Sequence, residues 1–138
     1  MRDADLHTDG WCLEDGEAYH ASAPDTFAIP SRADRENLWP GDLVKLIFRI
    51  QVDSAKGPVA FERMWVLVRE RRPDGYLRVR DNDPSSIGEN EELWSGSELP
   101  FRARHVIAID RGDAETRVLA LQEPRRRWPG SQAGGGQP

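Results

Sequence analysis

The sequence predicts a mostly β fold: a small bent antiparallel sheet or a partly open SH3-like barrel, with an extended N-terminal segment. Three observations carry this expectation. From Leu43 to Val52 every even position is apolar (Val44, Leu46, Phe48, Ile50, Val52) while the odd positions are mixed. Period two with one uniformly apolar face marks a half-buried antiparallel strand. Further short apolar runs follow at close spacing, separated by turns rich in Pro, Gly and Asx residues, the pattern of a compact all-β sheet. Asp74-Gly75 between two such runs is a local hairpin signal.

The elements follow in chain order. Residues 1–23 form an acidic, partly ordered leader. Residues 1–30 hold seven acids against one base, whereas the remainder is close to neutral within a total of −5. Trp11-Cys12-Leu13 is a short apolar cluster, and Glu14 to His20 offers a turn or two of helix, too short to be stable alone. Phe27 and Ile29, bracketed by Pro24 and Pro30, suggest an extended edge segment. Ser31 suits the cap of a helical turn, with Asp34 three residues on. Trp39-Pro40-Gly41-Asp42 is a turn that leads into the first long strand.

Val59 to Arg69 is the second strand, apolar on both faces around Met64 to Val68, with Trp65 expected in the core. Tyr76 to Arg80 is the third, with Leu77 and Val79 as its expected core face. Asp81-Asn82-Asp83-Pro84 ends it as a turn. Leu93-Trp94 opens the approach to a fourth strand, Phe101 to Ile109, and Arg117 to Leu121 offers a fifth. Residues 24–123 thus make one β-rich domain, the size expected of a single core. Residues 124–138, rich in Arg, Gly and Gln, read as a disordered tail.

No run approaches the roughly 18 apolar residues of a membrane helix, and Met1 to Asp5 has no apolar stretch behind it. A cytoplasmic, membrane-free setting is the expectation. The lone cysteine, Cys12, rules out an internal disulfide framework.

Thr26 to Pro30, Pro40-Gly41-Asp42-Leu43-Val44-Lys45-Leu46-Ile47-Phe48, Glu62-Arg63-Met64-Trp65-Val66, Asp81-Asn82-Asp83-Pro84 and His105-Val106-Ile107 together resemble a YegJ-like bacterial domain of unknown function, over roughly residues 24–110. Gly96-Ser97-Glu98 departs from the Gly-Asp step such domains place before their last strand. The resemblance implies a small mixed or mostly β domain and brings no established reaction. Some relatives resemble domains found among toxin-immunity proteins.

The chemistry-bearing residues point to binding before catalysis. Cys12 and His20 sit among Glu14, Asp15 and Glu17, a setting that disfavours a thiolate. No His or Cys spacing suggests a metal site, and no cofactor is expected. Tyr76, Arg78 and Arg80 are expected to leave the sheet on one face, beside Asp81, Asn82 and Asp83 in the following turn. Planar donors and a ring of this kind suit a protein interface, and Trp39 and Trp94 at turn starts extend it. A non-enzymatic protein-binding or accessory module is therefore the leading reading, with an immunity-type role as one concrete form. Two alternatives stand beside it. One is an enzyme with a polar carboxylate cleft near Glu62, Asp81 and Asp83. The other is a nucleic-acid-binding barrel using Arg78, Arg80, Arg102 and Arg104, which the acidic pI of about 5.2 disfavours.

Overall fold

The computed structural model describes residues 2–54, 57–80, 98–124 and 127–128. Its strands are β1 (Trp11–Leu13), β2 (Leu43–Ser54), β3 (Gly57–Arg72), β4 (Gly75–Arg80), β5 (Leu99–Phe101) and β6 (Val106–Asp110). They form one antiparallel sheet, curled into a half-barrel, in the order β1-β2-β3-β4-β5, with β6 also on β2. The long β2–β3 ribbon is the backbone of the sheet. One edge of β2 takes β3 along its length, and the other is shared by β1 at residues 48–50 and β6 at residues 43–46. Register shifts at Val68/Glu70 and at Lys45/Leu46 are the kind of irregularity that bends a strand and strengthens its twist.

The period-two pattern of β2 is realised from Val44 to Ile50; the side chain of Val52 lies outside the described residues. Val44, Leu46, Phe48 and Ile50 are all buried, and they meet Met64, Val66 and Val68 of β3 on the concave face. Trp65, expected in the core, is only half-buried. It occupies an odd position opposite Lys45, on the outer face of the ribbon, with the ammonium 5.9 Å from its ring centroid. Trp11 is the fully buried tryptophan of the sheet instead, tilted against Phe48 at 5.7 Å.

Among the described residues, four short helices decorate the sheet: α1 (Leu6–Asp9), α2 (Gly16–Ser22), α3 (Arg32–Arg35) and α4 (Ala114–Leu119). Asp15 caps α2 and Ser31 caps α3, as their side chains accept from Ala18 N and Asp34 N. A Cβ on Gly16 would lie 2.8 Å from Ile107 Cγ2, so glycine lets α2 approach β6 this closely. Phe27 and Ile29 form no strand; the Phe27 ring instead packs tilted against Tyr19 of α2 at 5.3 Å.

Three boundaries differ from the sequence reading. The expected strand 101–109 is broken into β5, a 3₁₀ turn at Ala103–His105, and β6. The expected strand 117–121 is α4, because Asp113 caps it through Thr116 N and Thr116 returns to Asp113 N. Local capping there outweighs a five-residue apolar run that β-propensity alone favours. The chain end is the third. Arg2 holds Asp9 through two 2.8 Å bonds, and Asp3 accepts from Arg102 at 2.7 Å and Arg104 at 3.2 Å. Trp128 is only 2% exposed, packed edge-on to Trp11 at 6.1 Å. Its backbone N–H donates to Glu98 Oε1, its indole N–H donates to Arg2 O, and the Arg2 guanidinium lies 4.4 Å from its ring. The expected disordered tail therefore contributes to the core at Trp128; residues 125–126 and 129–138 lie outside the described residues.

His105 sits beneath this closure. Burial, then the neighbouring Arg104, pushes its imidazole down to about 4. Its Nδ1 accepts from Arg102 N at 2.9 Å, a bond only the neutral ring can take. A histidine held below its unfolded value of about 6.5 stabilises the fold fully above that pH, and this contribution is lost as pH falls toward 4. Urea midpoints measured between pH 7 and pH 4 should fall, with His105 contributing about 3 kcal/mol across the window. The decline should be shallower in His105→Asn, whose amide oxygen keeps the acceptor. Equal slopes in the two proteins would refute the assignment.

Candidate binding cleft

The turn Leu38 to Asp42 is fixed by one buried carboxylate. Gly41 adopts φ +100°, and a Cβ there would meet Arg117 Cδ at 2.4 Å, so both conformation and space require glycine. The turn then joins β3 through Gly41 N to Val68 O and Val68 N to Asp42 O, both 2.9 Å. The Asp42 carboxylate accepts from Trp39 N at 2.8 Å and Arg111 Nη1 at 2.9 Å, and pairs with Arg117 Nη1 at 3.0 Å. Three elements thus converge on one side chain.

The product of this rigid turn is an outward-facing ring. Trp39 is 58% exposed, and the Arg71 guanidinium lies 4.5 Å from its centroid. Arg71 comes from the end of β3 and also donates to Glu36 O at 3.2 Å. Behind the pair, the Tyr76 hydroxyl donates to Arg35 O at 2.9 Å, and the Tyr76 ring stacks on Phe101 at 4.9 Å. Arg35, itself buried, ties α3 to α2 through Glu17 at 2.6 Å and to the 3₁₀ turn through Ala103 O at 3.1 Å. Between the β3–β4 hairpin and α3 these groups enclose a cleft of about 690 Å³, with Glu36, Trp39, Arg71, Asp74, Tyr76 and Ala103 among its walls. Its lining mixes the Trp39 ring and two guanidinium groups, Arg71 and Arg72, with the acidic residues Glu36 and Asp74. That balance suits a peptide better than a polyanion.

The expected site residues divide. Trp39 and Tyr76 both line this cleft, although Tyr76 is buried. Arg78, expected on an exposed face, is 0% exposed, with its guanidinium 4.8 Å from the Phe48 ring and 5.5 Å from the Trp11 ring. The correction has a plain cause. Both faces of β4 are buried: Leu77 on one, Tyr76 and Arg78 on the concave side of the curl. Arg80 pairs through its backbone with Val66; its side chain, Asp81, Asn82, Asp83 and Trp94 lie outside the described residues. Glu62 is half-buried on β3 opposite Phe48, and the two carboxylates expected beside it are among those undescribed. Arg102 and Arg104 are committed to Asp3 and do not join Arg78 in a basic groove.

The Cys12 thiol is pushed up by burial and by Glu14, and His20 Nδ1 is instead 2.7 Å from Phe27 O. Among the described residues no cluster of three His, Cys, Asp or Glu is placed to hold a metal ion. No described helix is long and apolar enough to cross a membrane.

Sequence reasoning missed Arg71 and Asp42. Arg71 read as a hairpin residue, although the Leu-Trp-Pro-Gly-Asp turn does contain the signal for a fixed aromatic. Comparison with known proteins finds no matching family model, no match among curated proteins and no match among solved structures.

Proposed function

We propose that this protein is a non-enzymatic binding module that takes a protein partner at the Trp39–Arg71 rim of the cleft. One observation carries the reading. A tryptophan more than half exposed stands on a turn whose backbone is tied by a buried carboxylate, with an arginine against its ring. Trp and Arg are the residue types that dominate interface energetics, and a pre-organised ring loses little freedom on binding. An immunity-type role, suggested by the YegJ-like resemblance, is one concrete form of this reading.

The test begins with affinity capture from the source cell and identification of the bound protein, followed by titration of the purified partner. Trp39→Ala should weaken that complex by about tenfold or more, or ~1.4 kcal/mol. The melting temperature should hardly move, because the lost ring is largely solvated. Equal affinity of parent and variant would refute the cleft as the contact.

A further inference from the structure

Most cations of this chain are neutralised within it. Arg2 pairs with Asp9, Arg35 with Glu17, Arg69 with Glu98, Arg102 with Asp3, and Arg111 with Asp42. Lys45, Arg49 and Arg63 stand apart: among the described residues none has a carboxylate within ion-pair distance. All three lie at odd positions on the outer face of the β2–β3 ribbon, Arg49 and Arg63 exposed and Lys45 half-buried, around a buried Ile47. Register places Arg49 opposite Phe61, Arg63 opposite Ile47 and Lys45 opposite Trp65. Each cation also lies over a ring: Arg49 at 6.0 Å from Phe61, Arg63 at 5.5 Å from Phe27, Lys45 at 5.9 Å from Trp65. Phe61 is 56% exposed.

We infer that this outer face is a second docking surface, for an extended protein segment carrying carboxylates at alternate positions. Charge is the first argument. In a chain with 24 acids and a net charge of −5, these three neighbouring cations have no carboxylate partner among the described residues, and like charges so placed repel until an anion arrives. Spacing is the second. The cations alternate from β2 to β3 and back at two-residue steps, about 6.6 Å each, the interval between side chains on one face of an extended strand. The open Phe61 ring supplies the apolar contact between them. Nucleic acid fits less well. The rings already carry cations on one face, which leaves less room for stacked bases, and the net negative charge opposes a phosphate polymer.

This inference rests on the protein-partner reading for the class of occupant, but its residues are separate from the cleft. The test uses the full chain and fluorescence anisotropy at low salt, with three labelled probes: a short peptide alternating glutamate and threonine, the same peptide with lysine for glutamate, and oligodeoxythymidine. The glutamate peptide should bind saturably and the lysine peptide should not. Affinity should fall about tenfold in Arg49→Gln/Arg63→Gln, weaken with added salt and be unchanged in Trp39→Ala. Thermal melting checks that the double variant is folded, and Lys45→Gln alone should weaken binding if it is not. Absence of saturable binding by the glutamate peptide at about millimolar concentration, equal binding by folded variants, or tighter binding of oligodeoxythymidine would each overturn the inference. If capture of the natural partner fails only in Trp39→Ala, the cleft reading stands and this one falls; failure only in the arginine variants gives the reverse.

Discussion

Trp128→Ala is expected to cost about 3–5 kcal/mol, the range for removing a buried aromatic. The melting temperature should fall by about 10 °C or more. The side chain is almost fully enclosed, sits edge-on to Trp11 and is covered by Arg2. Its loss removes the contact between two parts of the core and leaves Arg2 O without its indole donor. Ending the chain after Glu123 should do the same damage, since it also frees Glu98 from the Trp128 backbone N–H. Chemical denaturation of the three proteins decides the matter. A change below about 1 kcal/mol in Trp128→Ala would mean that the half-barrel closes without this residue.

Arg78→Ala is expected to be as damaging, at about 3–5 kcal/mol. The guanidinium is fully enclosed over Phe48 and Trp11, so truncation opens a cavity in the centre of the sheet and removes two cation–ring contacts. An exposed arginine at the same point of β4 would cost under about 1 kcal/mol, which makes the measurement a direct test of placement. Arg78→Met keeps most of the volume and should recover the part of the loss that comes from the cavity. If Arg78→Ala melts with the parent, the side chain is solvated in solution and β4 faces the other way.

How much of this could be read from the chain alone depends on the length of each signal. β2 was legible because five alternating apolar residues have few other uses, and the hairpin because a Pro-Asp-Gly step separates two apolar runs. β1 was not: Trp11-Cys12-Leu13 is too short to show a period, and only its pairing with Phe48 to Ile50 makes it a strand. α4 read as a strand because Val118, Leu119 and Leu121 suit β structure, while the deciding groups, Asp113 and Thr116, lie before them. Alternation misled at β4 for a geometric reason. On a flat two-layer sheet one face is wet, but a curled sheet turns its inner face toward its own opposite strands, and Tyr76 and Arg78 are enclosed with Leu77. For the site, Trp39 was legible as a turn aromatic; its guanidinium partner depends on the end of β3 arriving beside the turn, and the burial of its anchoring Asp42 on Arg111 and Arg117 reaching it.

The bond from Trp128 to Arg2 O also governs when the fold can be completed. These residues stand 126 positions apart, so a loop spanning nearly all the described residues must close before the core is sealed. A ribosome releasing the chain from its N-terminus exposes Trp11 and the concave side of β2 and β3 long before Trp128 emerges. Contacts of such separation are formed late and slowly, and sheet surfaces left open meanwhile are prone to aggregation. In the cell, the interval between synthesis of β3 and emergence of Trp128 is therefore the stretch of this protein's life in which chaperone protection matters most.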